Sequence, residues 1–564
     1  MEKVWSEKLE RSFRIDLFLL ILFILVGGFL RSWNLGVASF WVDEVNTVFA
    51  AESLVETGRH TLPSGYGYVR APLHTYIVAG FYYLFGVSEA TSRLPSALFG
   101  LFSILLVYLL GRKVYNRRVG LLSAFFMTFS HFEVGWSRTT RMYTLLQFLT
   151  LLIIYCFIEG FEQTKQGKHS SRFLGQKFSF FSRAVHFLKH YGLSPLWLVV
   201  CTFLIWVSAF RVHLLTLFLL GGIFVYLLSV ALASLLVEKG SGRVMNKYLV
   251  SSFVAILVAV LAWIASPGLR EMTNYFLSYT PSWAMDPSSA QRRFRLFEFL
   301  ISPQRFPLAA FFFVGGIQMI TRKQKLGWLF MWGFLVPLFL LTFVFTHRVS
   351  TYLFYVYPFF LIISAFGFIN LLESEGLGMR KDLLLKRRWV KKGVFALFLS
   401  IFFFSPWLRI TLHIPFFEDG VTNLAVTPNE WREASQIVKE RRKDDDLIVS
   451  SLPQVALYYG IRSDYGLNWV NLNLAREEEF KNEAGRWRDV YAGVVCIESL
   501  DDLKEIIQTH SRGWILVTKY HLEHVIVIPA DVREFVEEFF EEPLRTKNGT
   551  VLIYHWLQES ELES

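Results

Sequence analysis

Residues 15–30 read IDLFLLILFILVGGFL, and this apolar stretch decides how the rest of the chain is interpreted. Its length is close to the roughly 17–25 residues that a membrane-spanning helix needs. Basic residues precede it at Lys3, Lys8, Arg11 and Arg14. A secretory signal peptide has a similar flank, but no small-residue cleavage site follows this stretch. We therefore predict an uncleaved first transmembrane helix with a cytoplasmic N-terminus.

Apolar stretches of this kind recur along the chain. The 564 residues are 53% hydrophobic and 18% charged, against roughly 25% charged residues in ordinary soluble domains. This composition excludes a disordered, collagen-like or disulfide-rich protein and a single soluble domain. Further spans are predicted at residues 95–112, 119–135, 142–160, 193–210, 213–237, 248–266, 307–321, 326–346, 350–373 and 393–412. We predict an α-helical polytopic membrane protein with about eleven transmembrane helices.

The charges of the loops predict the topology. The segment Pro72–Phe85 is apolar but about 14 residues long, so it suits a juxtamembrane helix better than a span. With this segment left out of the spans, every strongly basic loop falls on one side of the membrane. These loops contain Arg112-Lys113, Arg117-Arg118, Lys165 to Lys189, Lys239 to Lys247, Arg322 to Lys325 and Arg380 to Lys392. The positive-inside rule makes that side the cytoplasm and leaves the C-terminal segment outside it.

From residue 416 onward the composition becomes that of a soluble domain. Apolar strand-like stretches alternate with helix-like ones, which is typical of a small α/β domain. Strands are predicted at 447–449, 492–496, 514–518 and in 544–556, and helices at 427–442, 499–508 and 530–540. Lys547-Asn548-Gly549 predicts a hairpin turn. We expect a transmembrane domain over residues 1–415 and an extracytoplasmic α/β domain over residues 416–564.

Two adjacent carboxylates, Asp43 and Glu44, follow the first span within the run SFWVDEV of residues 39–45. Ionisable residues at a membrane boundary cost free energy, so they are candidates for function. Two interpretations of Asp43 are open. It can be the N-cap of a helix that runs to Glu52, which is a common structural use of aspartate. Alternatively, its carboxylate is the general base of a reaction.

Further charged residues fall on the same predicted side of the membrane. The first outer loop, residues 32–94, and the next one contain them at Arg70, His74, Arg93, Glu133, Arg138 and Arg141. Arginines can bind a phosphate with paired hydrogen bonds, and a carboxylate can accept a proton. Anchoring at the membrane surface explains each arginine taken singly. Their common location, next to the carboxylates, indicates a site for an anionic substrate.

Four short motifs appear in order along this part of the chain. Trp-x-Asp-Glu follows the first span, Arg-x-Pro-Leu-x-x-Tyr begins at Arg70, Arg-Leu-Pro begins at Arg93, and Arg-Met-Tyr begins at Arg141. In this order they resemble the protein O-mannosyltransferase and lipid A aminoarabinose transferase superfamily. Its members are membrane glycosyltransferases of the GT-C fold that use sugars linked to polyprenyl phosphate. The resemblance covers roughly residues 10–415 and is most specific over residues 39–145.

The resemblance implies roles for individual residues. It implies that Asp43 is catalytic, with Glu44 beside it. Arg70 lies where related transferases have a basic residue before Pro-Pro, and Ala71 replaces the first proline here. Related lipid A transferases carry an acidic residue in the second outer loop, where this chain has Glu133.

The remaining site residues lie later in the chain. The segment 346–352, THRVSTY, resembles a late Arg-Tyr…Pro motif of the family. His213 lies between two spans, where a satisfied interfacial histidine is the simpler interpretation and substrate contact the alternative. The donor phosphate is expected to be bound by Arg70, Arg93, Arg138, Arg141 and Arg348. The substrate is expected to contact His74, Glu133, Tyr143, His213 and Tyr352.

The expected function is transfer of a sugar from a polyprenyl-phosphate donor to a lipid, glycan or protein acceptor at the outer face of the cell membrane. Such an inverting reaction needs a base for the acceptor hydroxyl and cations for the departing phosphate. The alternative is a transporter or lipid flippase with an outer sensor domain. Transporters place ionisable groups and interrupted helices near the membrane midplane, often in paired repeats, and the sequence has neither pattern.

Composition also predicts what the protein does not need. The net charge of +10 is divided among short loops between apolar segments, so we expect no nucleic-acid partner.

A monophosphate leaving group can be stabilised by arginines, whereas pyrophosphate donors usually call for a divalent metal. We therefore expect no metal or other cofactor.

Overall fold

A computed structural model describes most of the chain. The described residues are 2–162, 193–237, 247–267, 270, 295–302, 305–321, 324–345, 349–373, 393, 396, 430–467, 481–482, 485–523 and 528–558.

Up to residue 373 the described chain is mainly helical. Its helices are α1 (Glu2–Ser32), α2 (Val42–Thr57), α3 (Pro72–Phe85), α4 (Glu89–Val114), α5 (Arg117–Phe129), α6 (His131–Trp136), α7 (Tyr143–Phe157), α8 (Pro195–Val207), α9 (Thr216–Val237), α10 (Lys247–Ala265), α11 (Arg295–Ile301), α12 (Phe306–Thr321), α13 (Lys325–Phe339) and α14 (Tyr357–Glu373). Short π-helical turns follow α7, α8 and α13, and a 3₁₀ segment, Ser350–Val356, precedes α14.

Seven helical segments of the described chain are long and apolar enough to cross a membrane. They are Arg14–Ser32, Glu89–Val114, Tyr143–Glu162, Pro195–Val212, Thr216–Leu235, Lys325–Val344 and Ser350–Glu373. Two shorter apolar helices are Lys247–Leu257 and Pro307–Thr321. The prediction of a helical polytopic membrane protein is confirmed. The predicted span at 393–412 lies almost wholly outside the described residues.

The predicted span at residues 119–135 is divided in the structure. α5 ends at Phe129 and α6 begins at His131, with Ser130 between them in an extended conformation (φ −74°, ψ 117°). The Ser130 hydroxyl accepts a hydrogen bond from the N–H of Glu133 and so caps α6. Hydropathy counts the apolar residues of both helices as one run, so it does not reveal this break.

The chain forms two compact units. The helical unit comprises residues 1–31, 97–137 and 142–411, and the mixed unit comprises residues 32–96, 138–141 and 412–564. The predicted domain boundary after residue 415 lies outside the described residues. The first loop nevertheless differs from the prediction, because it groups with the C-terminal segment and not with the helical unit.

A sheet with flanking helices forms the C-terminal part of the mixed unit. Its elements are α15 (Trp431–Arg441), β1 (Leu447–Ser450), α16 (Pro453–Tyr458), β2 (Tyr465–Gly466), β3 (Val495–Cys496), α17 (Leu500–Thr509), β4 (Arg512–Thr518), α18 (Lys519–Glu523), α19 (Ala530–Phe539), β5 (Leu544–Arg545) and β6 (Val551–Leu557). The strand order is β3-β2-β1-β4-β6-β5. β1 pairs in parallel with β2 and β4, and Val449 lies opposite Tyr465 and Ile515. β6 is antiparallel to β4 and β5.

The predicted α/β domain is confirmed, including several local signals. Ser499 accepts a hydrogen bond from the N–H of Asp502 and caps α17. Gly549 has φ 65° in the turn between β5 and β6, as the hairpin signal predicts. The strand predicted at 492–496 is shorter than expected. Asp489 holds the preceding residues in a turn, so only Val495–Cys496 pair with β2.

One hydrophobic core joins the two sequence regions of the mixed unit. Phe40 and Val78 of the first loop pack in the same buried cluster as Trp431 and Trp514. The N–H of Phe40 also donates to the hydroxyl of Tyr459 at 2.7 Å. Burying one large apolar side chain contributes about 1.5–3 kcal/mol. Burial therefore fixes α2 and α3, which carry much of the predicted site, against the C-terminal part of the unit.

Candidate active site

Asp43 and Glu44 lie in the first turn of α2, which begins at Val42. Negative charge is favourable there because the N-terminus of a helix carries a partial positive charge. The N-cap residue is Trp41, and its backbone N–H donates to Oε2 of Glu44 at 3.1 Å. Glu44 therefore completes the start of the helix, and the interpretation of Asp43 as the N-cap is wrong.

The carboxylate of Glu44 is fully occupied within the mixed unit. Glu44 is 2% exposed. Its Oε1 accepts hydrogen bonds from Nε of Arg93 at 2.9 Å and from the N–H of Thr140 at 2.7 Å, and its Oε2 accepts one from Nη2 of Arg93 at 3.0 Å. Arg93 donates its other hydrogen bonds to the carbonyl oxygens of Leu35, Ala38 and Ser39. A guanidinium has five N–H donors, so protein acceptors occupy all of them.

Asp43 keeps its carboxylate at the surface of the unit, with 28% of the side chain exposed. Its Oδ2 pairs with Nη2 of Arg141 at 3.1 Å, and its carbonyl oxygen accepts a hydrogen bond from Nη1 at 3.0 Å. The side chain of Arg141 is 5% exposed, and its guanidinium lies over the ring of Trp41. The result is a partly exposed carboxylate whose position is fixed by a buried cation.

Arg70 is an exposed arginine of the same unit. Within the described residues its guanidinium has no hydrogen-bond or ion-pair partner, but it is close enough to Asp43 and Tyr491 to interact with them electrostatically. The next residue, Ala71, is the N-cap of α3 and has a left-handed conformation (φ 46°, ψ 54°). That conformation costs a residue with a Cβ about 1–2 kcal/mol. A strained turn therefore sets the position of Arg70.

His74 is buried below the site. Its Nε2 lies 3.4 Å from Oγ of Ser96, which donates to the carbonyl oxygen of Arg141 at 3.2 Å. Burial, with an additional contribution from the nearby Arg141, lowers the pKa of His74 to about 3. The imidazole is therefore neutral and connects α3 to the segment that carries Arg141.

Arg138 also belongs to the mixed unit. Its terminal nitrogens donate to the carbonyl oxygens of Trp33 and Asn34 at 2.6 and 3.2 Å. Burial lowers the pKa of Arg138 to about 10, with a contribution from Arg93. It remains a cation at neutral pH and ties residues 138–141 to the start of the first loop.

A tyrosine of the C-terminal segment lies at the same site. Tyr491 interacts electrostatically with Arg70 and Asp43. No motif predicted this residue, and it follows Asp43 by more than four hundred positions in the chain. A tertiary contact between the first loop and the C-terminal segment is needed to reveal it.

In the helical unit, the predicted substrate residue Glu133 is buried. Its Oε1 accepts a hydrogen bond from Gln147 at 2.9 Å, and its Oε2 has no hydrogen-bond partner among the described residues. Arg31, at the end of α1, interacts with it electrostatically and donates to Ser137 at 3.2 Å. Arg31 is not among the site residues predicted from the sequence. The sequence feature that could have indicated it is its position directly after the first apolar run.

Three other predicted substrate residues come together in the helical unit. The ring centroid of His213 lies 6.2 Å from that of Tyr143 and 5.8 Å from that of Tyr352. Nδ1 of His213 accepts a hydrogen bond from the N–H of Leu215 at 3.1 Å, which orients the imidazole. The predicted phosphate ligand Arg348 lies outside the described residues.

Part of the chain is similar to a known protein family. A family model described as dolichyl-phosphate-mannose-protein mannosyltransferase matches residues 69–234. An uncharacterized protein of Aquifex aeolicus (strain VF5) is 28% identical over 139 residues, which are 24% of this chain and 28% of that protein. A second one is 30% identical over 152 residues, or 26% and 36% of the two chains. The chain therefore matches about a third of the length of these curated relatives.

Solved structures share the fold over nearly the whole chain. ArnT from Cupriavidus metallidurans in the apo state covers 97% of this chain and 98% of its own, with 13% identity and a TM-score of 0.53. ArnT bound to undecaprenyl phosphate covers 95% and 97%, with 12% identity and a TM-score of 0.51.

A second neighbour is the archaeal oligosaccharyltransferase AglB from Archaeoglobus fulgidus, in complex with an inhibitory peptide and a dolichol-phosphate. It covers 95% of this chain and 74% of its own, with 12% identity and a TM-score of 0.52. At such identities the likeness shows the fold. The resemblance inferred from the four motifs is confirmed, because the family match spans three of them. The chain is thus a polytopic membrane protein of the GT-C fold, similar over residues 69–234 to the dolichyl-phosphate-mannose-protein mannosyltransferases.

Proposed function

We propose that this protein is a membrane glycosyltransferase that moves a sugar from a polyprenyl-phosphate donor to an acceptor hydroxyl on the extracytoplasmic side. The observation that carries the proposal is the partly exposed carboxylate of Asp43, held by Arg141 and close to the exposed Arg70. This arrangement combines a proton acceptor with a cation that has no hydrogen-bond or ion-pair partner among the described residues, as the transfer requires. The lipid phosphates bound by ArnT and AglB support a lipid-linked donor.

In the proposed reaction the acceptor hydroxyl attacks the anomeric carbon from the face opposite the phosphate, so the configuration inverts. A bond forms between the acceptor oxygen and the anomeric carbon while the bond from that carbon to the phosphate oxygen breaks. The polyprenyl phosphate leaves with the electron pair of the broken bond. Asp43 takes the proton of the hydroxyl and later releases it to water. Arg70 stabilises the charge of the departing phosphate.

The contacts of Glu44 and Arg93 support positioning roles for these two residues. Glu44 and Arg93 satisfy each other and the backbone around them, so we propose that they hold α2 in place and do not touch the substrate. Arg141 orients Asp43, and Arg138 and His74 fix the segments beside it. In the helical unit, we propose substrate contact for Glu133 and for the aromatic group of Tyr143, His213 and Tyr352, and phosphate contact for Arg348.

We expect turnover to need no divalent metal. The donor releases a monophosphate, whose charge an arginine can stabilise by paired hydrogen bonds. Purified protein should therefore keep its activity in an excess of EDTA. Activity that is lost in the chelator and restored by magnesium or manganese would contradict this expectation and favour a pyrophosphate donor.

The substitution Asp43→Asn tests the proposed base. Asparagine keeps the size of the side chain but cannot take a proton, so turnover should fall about 10²-fold or more. Binding of the donor should be retained because Arg70, the cation proposed to bind the phosphate, is unchanged. Turnover is measured with a radiolabelled polyprenyl-phosphate sugar, and Glu56→Gln, an exposed carboxylate on the same helix, is the matched control.

Two results would contradict the proposal in different ways. A well-folded Asp43→Asn protein with near-normal turnover would remove Asp43 from the role of base. Wild-type protein that transfers no sugar but moves lipid or solute across a vesicle membrane would favour the transporter or flippase alternative.

A further inference from the structure

A short segment of the C-terminal region docks on the first loop. Residues 488–494 precede β3, and two hydrogen bonds tie them to Ser64. The Ser64 hydroxyl donates to the carbonyl oxygen of Val490, and the Ser64 N–H donates to that of Tyr491 at 3.2 Å. Gly493 has φ 75°, and a Cβ there would lie 3.0 Å from Cα of Ser64. Only glycine adopts this left-handed conformation so close to another backbone without strain.

Hydrogen bonds within residues 488–494 also fix the conformation of this segment. Oδ1 of the buried Asp489 accepts hydrogen bonds from the N–H groups of Tyr491 and Ala492 at 3.0 and 2.6 Å. Nε of Arg488 donates to the carbonyl oxygen of Gly493 at 2.6 Å. The backbone of Tyr491 is therefore positioned both by its own turn and by the first loop.

The ring and the hydroxyl of Tyr491 have different environments. The ring packs against Ala50, Leu62 and Tyr68, a small core of the first loop. Among the described residues the hydroxyl has no hydrogen-bond partner. Burial raises the pKa of Tyr491 to about 12, an increase that nearby Asp43 supports and Arg70 opposes. The hydroxyl is thus protonated at neutral pH and can donate a hydrogen bond.

We propose that the hydroxyl of Tyr491 donates a hydrogen bond to the donor phosphate that Arg70 binds, so that the C-terminal region completes the phosphate site. This inference rests on the proposed function. In the described part of the chain, Arg70 and Tyr491 each offer N–H or O–H donors without protein acceptors, and a phosphate with several oxygens can accept from both. The Asp43 carboxylate repels a phosphate and is paired with Arg141, so it is left for the acceptor hydroxyl.

Binding to full-length protein in detergent tests the inference, with undecaprenyl phosphate as the probe and undecaprenol as the uncharged comparison. Tyr491→Phe keeps the packed ring and removes only the hydroxyl. Losing a hydrogen bond to a charged group should raise the Kd for undecaprenyl phosphate about tenfold or more. The Kd for undecaprenol and the unfolding temperature should not change. Tyr520→Phe, an exposed tyrosine of the same unit, is the matched control.

A second variant moves the segment and keeps the tyrosine. Gly493→Ala places a Cβ against Ser64 and should weaken binding of undecaprenyl phosphate, but not of undecaprenol. The inference is overturned if Tyr491→Phe binds undecaprenyl phosphate as tightly as wild type, or if it loses affinity equally for both lipids. If wild-type protein does not distinguish the two lipids, the proposed function fails together with this inference. The wild-type measurement therefore separates the two failures.

Discussion

At the scale of single residues, two neighbouring carboxylates have opposite surroundings because they lie on a helix. Successive helical residues project about 100° apart, so Glu44 turns into the mixed unit while Asp43 stays at its surface. A buried carboxylate is tolerated only when it is paired and hydrogen-bonded, and Arg93 with two backbone N–H groups meets that condition. The same turn of helix thus contains a buried structural anchor and a partly exposed carboxylate.

The first prediction at this scale concerns the anchor. Glu44→Gln leaves the buried Arg93 without a countercharge and removes one of the two acceptor oxygens. Breaking a buried ion pair in this way costs about 3–5 kcal/mol, so the variant should unfold at a clearly lower temperature. Glu56→Gln on the same helix is exposed and should change the unfolding temperature little. Equal unfolding temperatures for the two variants would contradict the structural role of Glu44.

The residue types of the site could be predicted, but their roles could not. Trp-x-Asp-Glu and Arg-Leu-Pro selected Glu44 and Arg93, yet no spacing rule says that they pair with each other. A phosphate role was predicted for Arg93 because it lies in a motif and shares a loop with the other arginines and the carboxylates. Tyr491 was missed because its neighbours become visible only through tertiary contacts.

At the scale of elements, the start of α3 is the strained point of the site. Ala71 has a positive φ and is followed by Pro72 at the first helical position. A proline ring holds φ near −65°, so the Pro-Pro sequence of related transferases is incompatible with this turn. The alanine that departs from the family pattern is therefore matched to the local backbone.

Substitutions at this position provide the second prediction. Ala71→Gly should keep the fold. Its free energy of unfolding should rise by up to about 1 kcal/mol, because the relief of strain in the turn exceeds the entropy that glycine adds to the unfolded chain. Ala71→Pro should shift Arg70 and weaken binding of undecaprenyl phosphate. Thermal unfolding and lipid binding measure the two effects separately. Wild-type binding by the Ala71→Pro protein would show that the turn does not position Arg70.

The elements themselves were predicted best where the local signal was strong. Ser499 and Lys547-Asn548-Gly549 act through neighbouring atoms, so their cap and turn were found correctly. Ser130 breaks a predicted span by the same kind of contact, but the apolar residues on both sides concealed it. Hydropathy averages over a window and is insensitive to a single hydrogen-bonded serine.

At the scale of the whole molecule, the loop charges predict a cytoplasmic N-terminus and an extracytoplasmic C-terminal segment. Reporter fusions at Gly120 and Gly420 test this topology. We expect an inside signal at Gly120, which lies directly after the basic residues Arg117 and Arg118, and an outside signal at Gly420. An outside signal at Gly120 or an inside signal at Gly420 would invert the topology and place the proposed site in the cytoplasm.

The shared core of the mixed unit also sets an order of events during biosynthesis. Phe40 and Tyr459 are hydrogen-bonded although they are 419 residues apart in the sequence. At translation rates of about 5–20 residues per second, roughly 20–80 s pass between their syntheses. During that interval α2 and α3 have left the ribosome without the surface that buries Val78. A nascent chain stalled before residue 431 therefore cannot complete this core.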